Sequence, residues 1–158
     1  MKTTLHLYSQ CPEETQNIGR ALGQSSNPGD TFLLTGPLGA GKTCLVQGIA
    51  WGLGVVEYAR SPTFVLITRY QGRVPIYHAD LYRIEDPQEA EDLGLDEYIN
   101  GQGVCVVEWA DRAPELFPDS CMWIELTYGE TDLDRNLVIS AEPHNATKLL
   151  DILNTQKS

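Results

Sequence analysis

The chain is poor in positive charge. Its 158 residues carry 11 Lys and Arg against 22 Asp and Glu, a formal net charge of −11. Nonspecific nucleic-acid binding rests on clustered Lys and Arg facing phosphates. The shortage therefore argues against strong direct nucleic-acid binding and suits a soluble protein that meets a basic partner surface. Its seven arginines (Arg20, Arg60, Arg69, Arg73, Arg83, Arg112 and Arg135) are scattered, with no lid-sized insertion that would gather them over a phosphate, as small-molecule kinases do. No apolar run approaches the roughly 18 residues of a membrane span, and residues 1–7 lack the apolar core of a signal peptide. The four cysteines (Cys11, Cys44, Cys105 and Cys121) contain no C-x-x-C pair, and the three histidines have no ligand spacing. Reduced thiols and a cytoplasmic location are expected, and a zinc site is not. N-K-x-D and D-x-x-G are both missing, which argues against a Ras-like GTPase.

What is present is Gly36-Pro37-Leu38-Gly39-Ala40-Gly41-Lys42-Thr43, a match to G-x-x-x-x-G-K-[ST]. The apolar residues 31–35 before it read as a buried strand. After it, Leu45, Ile49 and Leu53 recur on one helical face. Strand, glycine loop and helix form the context that a phosphate-binding loop requires. Backbone N–H groups must converge on a triphosphate, and glycines let the backbone come that close. The helix start adds unsatisfied N–H groups and the positive end of its dipole. Lys42 supplies a point charge for the β and γ phosphates, and Thr43 a hydroxyl for Mg²⁺, a hard cation that prefers oxygen.

Along the rest of the chain, residues 5–8 read as a strand and Pro12 opens a helix to about Leu22, with Cys11 as an unusual N-cap. Residues 65–70 and 74–82 form an antiparallel hairpin around Gln71-Gly72-Arg73, and Pro75 places its strand at an edge or makes it start late. Residues 86–93 form a short acidic helix, 95–99 a further turn, and 112–117 one or two helical turns. Residues 103–109 are a buried strand, 121–128 and 137–140 a strand pair, and Asn145 caps a last helix. The expected architecture is one α/β domain over residues 1–158, P-loop NTPase-like, with a mixed β-sheet flanked by helices.

A P-loop needs an acid on its metal side, commonly at the end of an apolar strand. Glu108, preceded by residues 104–107, fits best. Asp80 is the second candidate and shares a strand face with His78. Thr63 follows Ser61-Pro62 in a loop suited to sense a γ phosphate, as switch loops do. Trp109 sits where it can border the site.

Four motifs in order then carry a resemblance: the P-loop, Ser61-Pro62-Thr63-Phe64, His78-Ala79-Asp80-Leu81-Tyr82-Arg83 and Val107-Glu108-Trp109. Over about residues 9–126 the chain resembles the TsaE family of bacterial P-loop ATPases. The resemblance implies a role in forming threonylcarbamoyladenosine at position 37 of tRNA, with ATP hydrolysis acting on the TsaB–TsaD complex. It implies nucleotide contacts from the loop Gly36, Pro37, Leu38, Gly39, Ala40, Gly41, Lys42 and Thr43, with Mg²⁺ on Thr43 and Glu108. It also implies an essential Asp80, a switch-like Thr63, a site-bordering Trp109, and nucleotide contacts from the start of the first helix and from Arg135. The chain departs from the family at Cys11, where Ser or another polar residue is common. Two rival readings stay open: a small-molecule kinase, and a nucleotide-sensing interaction module that need not cleave ATP.

Overall fold

The computed structural model describes residues 2–58, 67–99 and 101–156. In chain order its elements are β1 (Thr3–Ser9), α1 (Pro12–Ser25), β2 (Thr31–Thr35), α2 (Lys42–Gly52), β3 (Ile67–Gln71) and β4 (Pro75–Asp80). They continue with α3 (Pro87–Asp92), α4 (Leu95–Tyr98), β5 (Val104–Glu108), β6 (Met122–Tyr128), β7 (Arg135–Ala141) and α5 (Pro143–Gln156). Two 3₁₀ turns, Ala110–Arg112 and Pro114–Leu116, follow β5.

The strands form one mixed sheet in the order β1-β7-β6-β2-β5-β4-β3. β6, β2, β5 and β4 are mutually parallel, while β3, β7 and β1 add antiparallel edges. Parallel strands need crossover helices, which cover both faces, so β2 and β5 are apolar nearly throughout. Period-two alternation divides their side chains between two cores. Phe32, Leu34 and Val106 pack with Leu22, Leu45, Ile49 and Leu149 under α1, α2 and α5. Leu33, Cys105 and Val107 pack with Leu81, Ala90, Leu95 and Phe117 on the other side. The expected mixed sheet flanked by helices is what forms.

Glycines set how closely α1 and α2 approach. A Cβ on Gly48 would lie 2.2 Å from the Gln16 carbonyl oxygen, and one on Gly19 would lie 2.4 Å from that of Leu45. This backbone-to-backbone seam fixes the helix that carries the P-loop.

Several boundaries differ from the expectation. α1 runs three residues past Leu22 to Ser25, where Gly23 and Ser25 continue its buried face and the Ser25 hydroxyl donates to the Leu22 oxygen. α5 starts at Pro143, which has no N–H to lose at a helix start, so Asn145 lies inside the helix. β4 is not an edge strand, since it lies between β3 and β5. Pro75 opens it, and pairing with β5 begins at Ile76. The part of the expected 65–70 strand at residues 65 and 66 lies outside the described residues.

Candidate functional site

The site forms where β2, β5 and β4 end side by side. The loop from Gly36 to Gly41 leaves β2 and turns into α2 through three glycines with left-handed φ: Gly36 at 139°, Gly39 at 80° and Gly41 at 104°. Gly36 is required twice over, because a Cβ there would also meet the Leu126 carbonyl oxygen at 2.2 Å. Five successive loop carbonyls are held by side chains. Lys42 Nζ donates to the Gly36 and Pro37 oxygens at 2.7 and 2.9 Å. The Tyr128 hydroxyl donates to the Leu38 oxygen. Arg135 Nε and Nη2 donate to the Ala40 and Gly39 oxygens at 3.0 and 3.4 Å. The Ala40 N–H also closes a turn onto the Pro37 oxygen at 3.1 Å, so the loop backbone is held from within as well as by side chains. A glycine loop held in this way, opening into a helix start, is the backbone frame of an anion site.

Lys42 is buried (5% exposed) and lies with Nζ 3.9 Å from the centre of the Trp109 ring. Burial pushes its pKa down, against the pull of Glu108, Asp80 and Asp111. Trp109 has a left-handed backbone, φ 58° and ψ 37°, unlike every other described non-glycine residue. That conformation turns the chain sharply out of β5. It is sparsely populated for a residue with a Cβ and is of the kind found at functional sites.

Glu108 ends β5 and is buried (2% exposed). Thr43 Oγ1, in the first turn of α2, donates to Glu108 Oε1 at 3.1 Å, with Oε2 at 3.3 Å. Asp80 ends the neighbouring β4 and lies in register with Glu108. Its Oδ1 accepts the Tyr82 N–H at 2.9 Å. Partial burial raises its carboxyl pKa, the Tyr82 N–H lowers it, and nearby Glu108 raises it further. Among the described residues no three His, Cys, Asp or Glu side chains form a metal cage. Mg²⁺ does not need one, since it is commonly held by one or two protein oxygens, substrate phosphates and water. Thr43 and Glu108 fit that donor set.

The fold thus brings together Gly36 to Thr43, Asp80, Glu108 and Trp109, whose motifs are far apart in sequence. Arg135 reaches the same loop and grips its carbonyls from outside. Thr63 lies outside the described residues. Cys11 precedes α1 with no side-chain cap bond, yet the start of α1 touches α2, where Cys44 Sγ donates to the Pro12 oxygen at 3.4 Å. Three features escaped the sequence reading. Tyr128 clamps the loop. Arg112 stacks over Tyr82 and Trp109, 5.6 and 5.5 Å from their ring centres. His78 bonds Glu108, with Nε2 2.6 Å from Oε2. The shared face of His78 and Asp80 was the available signal for the last, and the β4–β5 register supplies the missing half.

A family profile described as threonylcarbamoyl adenosine biosynthesis protein TsaE matches residues 9–137. The chain belongs to the TsaE family. A TsaE relative from Bacillus subtilis is 46% identical over 131 residues, covering 82% of this chain and 81% of the relative. One from Treponema pallidum is 40% identical over 122 residues, covering 77% and 90%. Both are named tRNA threonylcarbamoyladenosine biosynthesis protein TsaE. The crystal structure of YdiB from Bacillus subtilis superposes with a TM-score of 0.81 at 35% identity, covering 100% of this chain and 99% of YdiB. The TsaE match spans all four motifs, so the loop, Asp80 and Glu108 fall within the family's own region.

Proposed function

We propose that this chain is a Mg²⁺-dependent ATPase of tRNA threonylcarbamoyladenosine formation, acting on the TsaB–TsaD complex so that the complex turns over repeatedly. The observation that carries this reading is the Thr43–Glu108 hydrogen bond beneath a preorganised glycine loop. It joins a hydroxyl and an acid, both oxygen donors suited to Mg²⁺, beside the loop read as the phosphate cradle. The names of the TsaE relatives support the pathway. With no helix long and apolar enough to cross a membrane among the described residues, and with a net charge of −11, the partner is read as protein rather than bilayer or bare tRNA. The location is read as the cytoplasm.

In this reading the loop from Gly36 to Thr43 wraps the phosphates of ATP, with backbone N–H groups of its non-proline residues as the donors. Lys42 exchanges the Gly36 and Pro37 carbonyls for the β and γ phosphates. Thr43 and Glu108 hold Mg²⁺, which supplies positive charge against the charge that develops on the transferring phosphoryl group. Asp80 orients or deprotonates the attacking water. Trp109 borders the nucleotide, Thr63 is read as the hydroxyl that senses the γ phosphate, and Arg135 meets the nucleotide from the loop's outer edge. Arg135 is engaged with loop carbonyls and Arg112 with aromatic rings. With both so engaged, hydrolysis by the chain alone is read as slow, rising with its partners.

The test is phosphate release from ATP, with and without purified TsaB and TsaD. Slow release alone and faster release with the pair are expected. Equal rates would overturn the partner-controlled reading, and phosphate appearing on an added small-molecule acceptor instead of in water would make the protein a kinase.

A further inference from the structure

We propose that His78 is a positioning residue for the divalent cation: its Nε2–H holds the Glu108 carboxylate so that one oxygen stays turned toward Thr43. This rests on the nucleotide reading above. His78 lies inside β4 with no solvent exposure. In the parallel β4–β5 pair it stands opposite Val106, while Asp80 stands opposite Glu108. His78 and Glu108 are therefore diagonal neighbours on the sheet face beneath α2, within reach of long side chains. Their contact is short, 2.6 Å between Nε2 and Oε2.

The chemistry of the two groups fixes the hydrogen. An ionised carboxylate only accepts, so Nε2 must donate. The other ring nitrogen, Nδ1, is buried with no hydrogen-bond partner among the described residues. An N–H there would be an unmet donor, whereas a bare lone pair costs less. In the proposed arrangement a ring proton sits on Nε2, facing the Glu108 carboxylate as acceptor. An imidazole so placed is an anchor rather than a ligand: its Nε2 donor is committed to Glu108.

The consequence falls on the metal side. Oε2 takes the His78 proton and Oε1 takes the Thr43 proton at 3.1 Å. Thr43 Oγ1 donates to Glu108, and a hydroxyl oxygen that donates its proton is also the kind of oxygen a hard cation takes. Without His78, Glu108 would lose a charge-assisted bond in a buried setting. Lys42, on which Glu108 already acts electrostatically, would compete for the carboxylate. The carboxylate would then turn to the lysine and away from the metal position. Partners that orient a metal-binding group in this way are worth about 10- to 100-fold in metal affinity.

The experiment compares wild type with His78→Leu, which removes the donor, and His78→Gln, whose amide N–H reaches a similar place. The probes are a fluorescent ADP in chelator, and Mn²⁺ with ADP followed by electron paramagnetic resonance. His78→Leu should bind metal-free ADP within about twofold of wild type and Mn²⁺ about tenfold or more weakly, with His78→Gln recovering most of the loss. Unchanged Mn²⁺ affinity in His78→Leu would overturn the proposal alone. So would an equal loss of metal-free ADP binding, which marks a merely structural role. Wild-type protein that binds no ADP in either condition would overturn the nucleotide reading, and this proposal with it. If His78→Leu does not fold, ¹⁵N spectra of the wild-type imidazole decide the hydrogen's place: a proton on Nε2 is expected, and a proton on Nδ1 alone would overturn the assignment.

Discussion

In the proposed function Asp80 sets the pH behaviour of the site. Burial raises its carboxyl pKa above the ordinary carboxylate value and Glu108 raises it further, while the Tyr82 N–H opposes the rise. A base must be ionised to work, so hydrolysis should climb as pH rises through that elevated pKa. Asp80→Asn should abolish this limb along with most of the activity, as a rate profile between pH 4 and about 8 would show. The sign for stability is opposite. A raised folded-state pKa favours the fold below the ordinary value and loses that contribution as pH rises through the folded one. Asp80→Asn should therefore be no less stable than wild type at neutral pH by thermal melting, although its activity is gone. Lys42, Thr43, Glu108 and Asp80 were legible because each sits in a motif or ends an apolar strand. Tyr128, Arg135 and Arg112 were harder. Tyr128 and Arg135 reach the loop from 90 and 95 residues away from their carbonyl partners, and no local pattern encodes such a contact.

At the scale of elements, the P-loop depends on neighbours on both sides. The ends of β6 and β7 clamp its carbonyls through Tyr128 and Arg135, and α1 fixes the helix that follows it. The α1–α2 seam leaves no space for a side chain at Gly48, where an added Cβ would sit 2.2 Å from backbone. Gly48→Ala must push the helices apart, which outweighs the gain in helix propensity. We expect a loss of about 1–3 kcal/mol in urea unfolding, with weaker nucleotide binding because α2 carries Lys42 and Thr43. An unchanged midpoint would show that the seam relaxes freely. Helices and strands were readable from periodicity, and the buried parallel strands from their unbroken apolar runs. Register was not. The bond from His78 to Glu108 depends on β4 lying parallel beside β5, a tertiary fact that neither strand announces. The short 3₁₀ turns after β5 were expected only as one or two helical turns. Their start, the left-handed Trp109, is a backbone state that few non-glycine residues adopt.

For the whole molecule, the charge balance and the site point the same way. A chain with 22 acids and 11 bases is ill suited to hold tRNA, yet its relatives are named for tRNA modification. Work on a protein complex that itself handles the tRNA reconciles the two. In the proposed reading hydrolysis has a purpose beyond binding: each ATP cleaved would reset the complex for another round. Counting modified tRNA formed per TsaB–TsaD complex, with excess substrate and ATP, tests this most directly. Wild-type protein should support many rounds, and Asp80→Asn, still binding ATP, should leave the count near about one per complex. Many rounds with the cleavage-dead Asp80→Asn protein would contradict the account and make the chain a nucleotide-sensing partner rather than an ATPase.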